Sequence, residues 1–283
     1  MTTCYGFRIK DGELLSPIHA GEMLRIPLNE HAKRKILRST VRSATLTQDR
    51  LSLAYANEIE AIRPQGFVGV DRNLDNVTAV MTDGSVKRLD PSEATRTKII
   101  YREVRTHLKR NDVRIRREIS GKYGQKQRDK VKQILHHASK LIVEEAKSKQ
   151  YGITMEKLTG IRKLYRRGNW QGRWYRGRMN SWSYAELQRQ IEYKARWEGL
   201  SVMYVHPHGT SSRCSICGGR MRPEENRMLH CPSCGHMVDR DVNAAKNILA
   251  AGRLRFGLVG LASEAVVAAS ATVRESAKSM RGS

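Results

Sequence analysis

Aromatic residues are scarce, 6% of the 283 residues with only three phenylalanines, and hydrophobic residues reach 39%. That suffices for one large domain or two modest ones, each with a real core. Acidic residues are also short. Twenty-eight Asp+Glu face 52 Lys+Arg, leaving a formal net charge of +24 and a pI near 10.2. An excess of one sign this large repels itself and calls for a polyanionic partner. Nucleic acid leads; acidic residues would serve solubility better, and an anionic membrane surface is a weaker alternative. No apolar run is long enough to span a bilayer, and the N-terminus lacks a signal-peptide pattern. Internal repeats are absent. The five cysteines do not read as a disulfide framework: four fall in two tight pairs and Cys4 stands alone. That arrangement points to a metal and to a reducing, cytoplasmic setting.

What is present is an alternation of strands and helices. Residues 1–65 carry short apolar runs, such as Met23–Pro27 and Ala44–Leu46, and one charged run at 29–38 that fits a helix. They predict a small β-rich subdomain, punctuated at its end by Pro64 and Gly66. Phe67–Asp71 is an apolar run ending in a carboxylate, and Val77–Met81 resumes the β pattern before a hairpin turn at Asp83 and Gly84. From about 92 to 150 the pattern is helical, read as two long helices broken near Gly121 to Gly124. Residues 96–149 hold 17 Lys+Arg against 6 Asp+Glu. Ile153–Met155 reads as a buried strand leading into Glu156. Ser183 with Glu186 reads as a capping box opening a helix that ends at Gly199. Val202–Val205 is a further strand, 243–251 a final helix, and the Ala-, Ser- and Val-rich stretch after about 258 a poorly ordered tail. The pattern predicts a mixed α/β core.

Cys214 and Cys217, then thirteen residues, then Cys231 and Cys234 give two C-x2-C pairs. Two thiolates separated by two residues can face one ion, and two such pairs complete a closed tetrahedral shell, the signature of one structural zinc. Gly218 and Gly235 each follow a second cysteine, where a tight turn needs a permissive backbone. His230 and His236 flank a shell that is already full.

Three carboxylates stand at informative places. Asp71 and Glu156 each end an apolar strand, and Asp239 and Asp241 sit directly before the last helix. Converging carboxylates without basic partners are costly unless divalent cations neutralise them. Oxygen ligands of this kind suit Mg²⁺ or Mn²⁺, and a pair of such ions can activate water at a phosphodiester. Residues 157–185 contain no acid at all, and 161–182 hold seven Lys+Arg with Tyr165, Trp170, Trp174, Tyr175 and Trp182. Arginines that pair with phosphate beside rings that stack on bases predict a nucleic-acid contact through Arg162, Arg166, Arg167, Trp170, Arg173, Trp174 and Arg176.

Together these residues resemble the RuvC and zinc-ribbon half of the TnpB family, transposon-encoded relatives of type V CRISPR effectors. The resemblance is carried by Gly69, Val70 and Asp71 with Leu74 and Asn76, by Met155–Leu158, by Thr210–Cys214 running into the cysteine pairs, and by Asp239–Ile248. It covers roughly residues 20–256. It implies an RNase H-like (RuvC) α/β core at 66–205, an inserted zinc ribbon at 206–238, a last RuvC segment at 239–257 and a wedge-like β subdomain before them. It further implies an RNA-guided, Mg-dependent DNA endonuclease of the insertion-sequence OrfB type, with guide RNA and DNA as partners. Two Mg²⁺ or Mn²⁺ would sit on Asp71, Glu156 and Asp241, with Asp239 the rival for the third place. Two departures stand out. Asn73 occupies the position where the family carries a glycine, and Asn tolerates positive φ better than most residues. The helical region that precedes the β part in the family has little counterpart here, which keeps open a non-catalytic nucleic-acid-binding protein.

Overall fold

A computed structural model of the chain describes residues 2–4, 6–19, 21–108, 112–166, 170–259 and 275–276. It divides into two compact units, one built on residues up to Glu60 and one from Ala61 onward. The first is β-rich. Strands β1 (Thr2–Cys4), β5 (Thr40–Leu46) and β6 (Leu51–Ala56) pair antiparallel, as do β2 (Arg8–Lys10), β3 (Glu13–His19) and β4 (Glu22–Pro27). A short helix α1 (Glu30–Ile36) is capped by Asn29, whose Oδ1 accepts the Ala32 N–H at 2.8 Å. Leu14, Leu28 and Ala44 form the core of this unit.

The second unit is a five-stranded mixed sheet with helices on both faces. Strands β7 (Gly66–Arg72), β8 (Val77–Met81) and β9 (Val86–Leu89) form an antiparallel meander, and Gly84 turns the second hairpin at φ 85°. Helices α2 (Ser92–Thr106) and α3 (Ser120–Ser148) lead to β10 (Tyr151–Glu156), which pairs parallel with β7. Helices α4 (Arg173–Ser181) and α5 (Tyr184–Trp197) lead to β11 (Val202–Val205), parallel to β10. The sheet order is β11-β10-β7-β8-β9. A small three-stranded sheet follows, β12 (Arg222–Pro223), β13 (Met228–His230) and β14 (Met237–Asp239), and then helix α6 (Arg240–Val259). No helix among the described residues is long and apolar enough to cross a membrane.

Strand periodicity sorts the faces. Val68 and Val70 of β7 and Ile153 and Met155 of β10 point to α3 and α5, where they meet Leu135, Ile142, Leu187 and Ile191. Burying each such side chain contributes about 1.5–3 kcal/mol. Phe67 and Val80 face the other way, onto Ala245 and Leu249 of α6. That helix lies almost on the sheet. A Cβ at Gly69 would stand 2.3 Å from the Ala245 carbonyl oxygen, and one at Gly252 would stand 2.2 Å from Thr154 Oγ1. Glycine at both crossing points brings the start of α6 close to the strand ends.

Three sequence expectations change. The first helix ends at Thr106 and helical structure has resumed by 113, so the break is not at the glycines. Gly121 and Gly124 are inside α3, and Gly124 is buried where the Arg105 side chain approaches. Asp112 restarts the helix by accepting the Arg114 N–H at 2.7 Å, and a π-helical turn, Ile115–Ile119, precedes α3. The capping box does not form. Ser183 Oγ is buried without a partner, and Glu186 accepts from Arg189 and Gln190. The last helix runs Arg240–Val259, beyond 243–251 on both sides. Most of the stretch predicted as a tail lies outside the described residues.

Candidate functional site

Asp71 shares a face with Phe67 and Gly69, and Glu156 shares one with Thr154, so both project toward α6. Their strands are parallel neighbours whose last paired positions are Val70 and Met155, so the two carboxylates follow side by side at one end of the sheet. Asp241 comes to them from the first turn of α6. All three are buried, at 6%, 9% and 5% exposure. Burial, then the charges of Glu156 and Asp241, push the Asp71 carboxyl up to about 7. Asp239 is used elsewhere. Its Oδ1 accepts the N–H groups of Asp241 and Val242 at 2.9 and 3.1 Å and meets Arg88 at 3.2 Å, so it caps the helix.

A chain of amides joins two of the carboxylates. Asn73 Nδ2 donates to Asp71 Oδ2 at 2.8 Å and to Asn76 Oδ1 at 3.1 Å, and Asn76 Nδ2 donates to Asp241 Oδ2 at 3.1 Å. Asn73 therefore acts through its side chain; its backbone is not among those with positive φ. Two arginines that the sequence reading did not single out complete the surroundings. Arg227, from the loop between the cysteine pairs, donates through Nη2 to both oxygens of Asp241, at 2.6 and 2.8 Å. Arg72 is 2% exposed on the opposite face of β7. It donates to the Glu156 carbonyl at 2.5 Å, the Gln188 amide oxygen at 2.8 Å and the Tyr184 carbonyl at 3.3 Å. Adjacency to Asp71 was the one signal for Arg72. Nothing in the sequence marked Arg227. The donor set is buried and oxygen-rich, which fits hard divalent cations, and Arg227 is the cation already paired with Asp241 in this arrangement.

Among the described residues, the four cysteines are the group whose ligand atoms all lie within 4.8 Å of one another. The sulfurs of Cys214 and Cys234 are 3.7 Å apart, those of Cys217 and Cys231 3.4 Å, and all four cysteines are free. Both pairs turn alike: the Gly218 N–H donates to the Cys214 carbonyl at 2.9 Å and the Gly235 N–H to that of Cys231 at 2.8 Å, with φ near 74° and 72°. Met221, Leu229 and Val238 back the cluster. Soft thiolates at this spacing fit zinc.

The basic, aromatic segment divides. Trp182 is 9% exposed and packs on Tyr184 with ring centroids 5.0 Å apart, so it serves the core. Trp170 is fully exposed, at φ 56°, and Trp174 is 69% exposed with the Arg178 guanidinium 5.6 Å from its ring centre. Arg178 also pairs with Asp75, the residue before Asn76. Arg162 lies 5.9 Å from the Tyr184 ring centre, Arg176 donates to the Gln171 carbonyl, and Arg166 and Arg173 are exposed. Arg167 lies outside the described residues.

Comparison with known proteins places these features among relatives. A Cas12f1-like TNB domain model matches residues 184–248. A TnpB-like protein of Methanocaldococcus jannaschii is 34% identical over 201 residues, 67% of this chain and 71% of that protein. The CRISPR-associated endodeoxyribonuclease Cas12f1 of Sulfoacidibacillus thermotolerans is 36% identical over 118 residues, 40% of this chain and 25% of that protein. A cryo-EM structure of a Cas12f1–sgRNA–target DNA complex superposes with a TM-score of 0.50 at 18% identity, covering 70% of this chain and 56% of that one. The chain thus spans well under two thirds of the Cas12f1 proteins it matches.

Proposed function

The chain belongs to the TnpB family, and from that premise we propose that it is a metal-dependent, RNA-guided DNA endonuclease of the insertion-sequence OrfB type. The sheet supports an RNase H-like (RuvC) reading of 66–205: an antiparallel meander of three strands extended from its first strand by two parallel ones. On this reading 206–238 is an inserted ribbon held by one structural zinc on Cys214, Cys217, Cys231 and Cys234. Residues 239–257 complete the nuclease core, and 1–65 form the wedge-like subdomain. The reduced thiolates suit the inside of a cell.

One observation carries the catalytic reading: three buried carboxylates stand toward one end of the sheet, close enough that burial, with the charges of Glu156 and Asp241, lifts Asp71 to about 7. Asp71, Glu156 and Asp241 would hold two Mg²⁺ or Mn²⁺, which when bound supply an activated water and stabilise the leaving oxygen of a phosphodiester. Asn73 and Asn76 hold Asp71 and Asp241 in place. Arg72 fixes the end of β10 from behind, so that the Glu156 backbone cannot shift as charge changes in front of it. Arg162, Arg166, Arg167, Arg173 and Arg176 would meet phosphates of DNA or guide RNA, and Trp170 and Trp174 would stack on unpaired bases.

Purified with its own RNA and supplied with Mg²⁺, the chain is expected to cut matching DNA. Asp71→Ala is expected to abolish cutting while leaving zinc content and nucleic-acid affinity unchanged. Binding without cutting by the unaltered protein, in both Mg²⁺ and Mn²⁺, would leave a binding protein in place of a nuclease.

A further inference from the structure

The loop between β11 and the first cysteine pair is bound along its backbone by α6. Asn243, with no exposed surface, uses both ends of its amide: Nδ2 donates to the Arg213 carbonyl at 2.8 Å and Oδ1 accepts the Ser215 N–H at 3.0 Å. One helical turn on, and so on the same face, Asn247 Nδ2 donates to the carbonyls of Thr210 and Arg213, both at 2.8 Å. Residues 210–215 are thereby fixed to the helix whose first turn carries Asp241. Cys214 lies toward one end of that loop and Thr210 at the other. The Thr210 hydroxyl is 2.5 Å from Glu156 Oε1, to which it donates, and 2.9 Å from the Pro207 carbonyl oxygen. Thr210 is itself buried, at 6% exposure.

We propose that Asn243, Asn247 and Thr210 are positioning residues that hold Glu156 in register with Asp241 and tie the cation-binding carboxylates to the cysteine cluster. The proposal rests on the reading of Asp71, Glu156 and Asp241 as the cation site. A glutamate at a strand end has three side-chain torsions to fix. A hydrogen bond to Oε1 from a buried hydroxyl restricts them and leaves Oε2 free of that bond. The hydroxyl can do this only while its own backbone is held, and the two asparagines hold it against the helix that bears the third carboxylate. Loss of the hydroxyl therefore frees Glu156, and loss of the amides frees the loop that links it to Cys214. Partners of this outer kind change metal affinity by about 10–100-fold when removed.

The test measures Mn²⁺ bound by the full chain, by electron paramagnetic resonance without nucleic acid, with zinc content determined on the same samples. Thr210→Val keeps the shape and removes the hydroxyl. It is expected to weaken Mn²⁺ binding about tenfold or more with zinc unchanged, and Thr210→Ser to restore it. Asn247→Ala is expected to weaken Mn²⁺ binding in the same direction and to speed zinc release to a chromogenic chelator. If Asp71→Ala loses Mn²⁺ while Thr210→Val and Asn247→Ala bind it as the parent does, the coupling is overturned and the nuclease reading stands. If Asp71→Ala binds Mn²⁺ as the parent does, the cation site itself is wrong. Should Asn247→Ala fail to fold, the Thr210→Val and Thr210→Ser pair decides alone.

Discussion

The four thiolates and the three carboxylates are both anionic sets in the same unit, yet they are built in opposite ways. The thiolates come from 21 consecutive positions, Cys214 to Cys234, and two similar turns are enough to face them inward. The carboxylates come from the ends of two strands and the start of a helix, residues 71, 156 and 241, and need the whole sheet to meet. The first set organises a loop-rich module whose apolar support is small, Met221, Leu229 and Val238. The second sits on a core already made by Val68, Val70, Ile142, Ile153 and their neighbours. A cation at the first should therefore supply folding energy, whereas a cation at the second should relieve strain in a fold that exists without it.

The largest effect expected from breaking this contrast is at the thiolates. Zinc binding in modules of this size is worth on the order of 10 kcal/mol of coupled folding. Cys217→Ser should lower zinc from one per chain and abolish amide-exchange protection across about 205–240. Protection in β7 and β10 should survive. Uniform loss of protection throughout the unit, or none at all, would show that the two sets do not differ as argued.

At the carboxylates the expected sign is reversed. In the folded chain without Mg²⁺, Asp71 is raised from an ordinary value near 3.8 to about 7, chiefly by burial and by Glu156, with a smaller push from Asp241 and with the Asn73 hydrogen bond and Arg72 opposing. A raised carboxyl favours the folded state while it is protonated, and that contribution is lost as pH climbs from about 4 through 7. About three pKa units correspond to roughly 4 kcal/mol. Urea melts in zinc-containing, Mg²⁺-free buffer should thus show stability falling across this window. Asp71→Asn should flatten the fall and be the more stable protein at pH 8. Saturating Mg²⁺ should narrow the difference by binding the folded parent. A parent whose stability does not change between pH 4 and 8 would contradict the repulsion.

The same contrast explains what could be read from the sequence. The cysteine pairs were legible because their geometry is local. The β7 and β10 strands were legible because buried runs ending in a carboxylate are unusual, and the family resemblance then joined Asp71, Glu156 and Asp241 across 170 positions. Arg227 was not legible: it reaches Asp241 only because the ribbon loop takes a left-handed turn at Asn226 and Arg227, φ 53° and 62°. Asn73 was noticed for the wrong property, its tolerance of positive φ, when its amide is what matters. The capping box at Ser183 failed because Arg189 and Gln190, one turn along, compete for Glu186. Trp182 lies in the same aromatic stretch as Trp170 and Trp174, and sequence spacing cannot tell a ring that packs on Tyr184 from one that faces water.

The smallest expected effect belongs to the basic segment, where charge has the sign opposite to both ligand sets. Trp170 is wholly exposed yet sits at φ 56°, a conformation that costs a bulky residue of order 1 kcal/mol or more. A purely structural role would not explain keeping a ring there, since glycine adopts the same backbone freely. Trp170→Gly should therefore leave the melting profile unchanged or slightly improved, while weakening single-strand affinity by about 1–3 kcal/mol for one lost base stack. Arg166→Gln and Arg173→Gln act differently, because they remove charge and no ring. Each should reduce the slope of log affinity against log salt by about 0.7 on single strands without touching zinc content or the pH profile of stability. If Trp170→Gly lowers stability and leaves affinity alone, the segment is scaffold, and the positive face of the protein must be sought on the outer sides of α2 and α3.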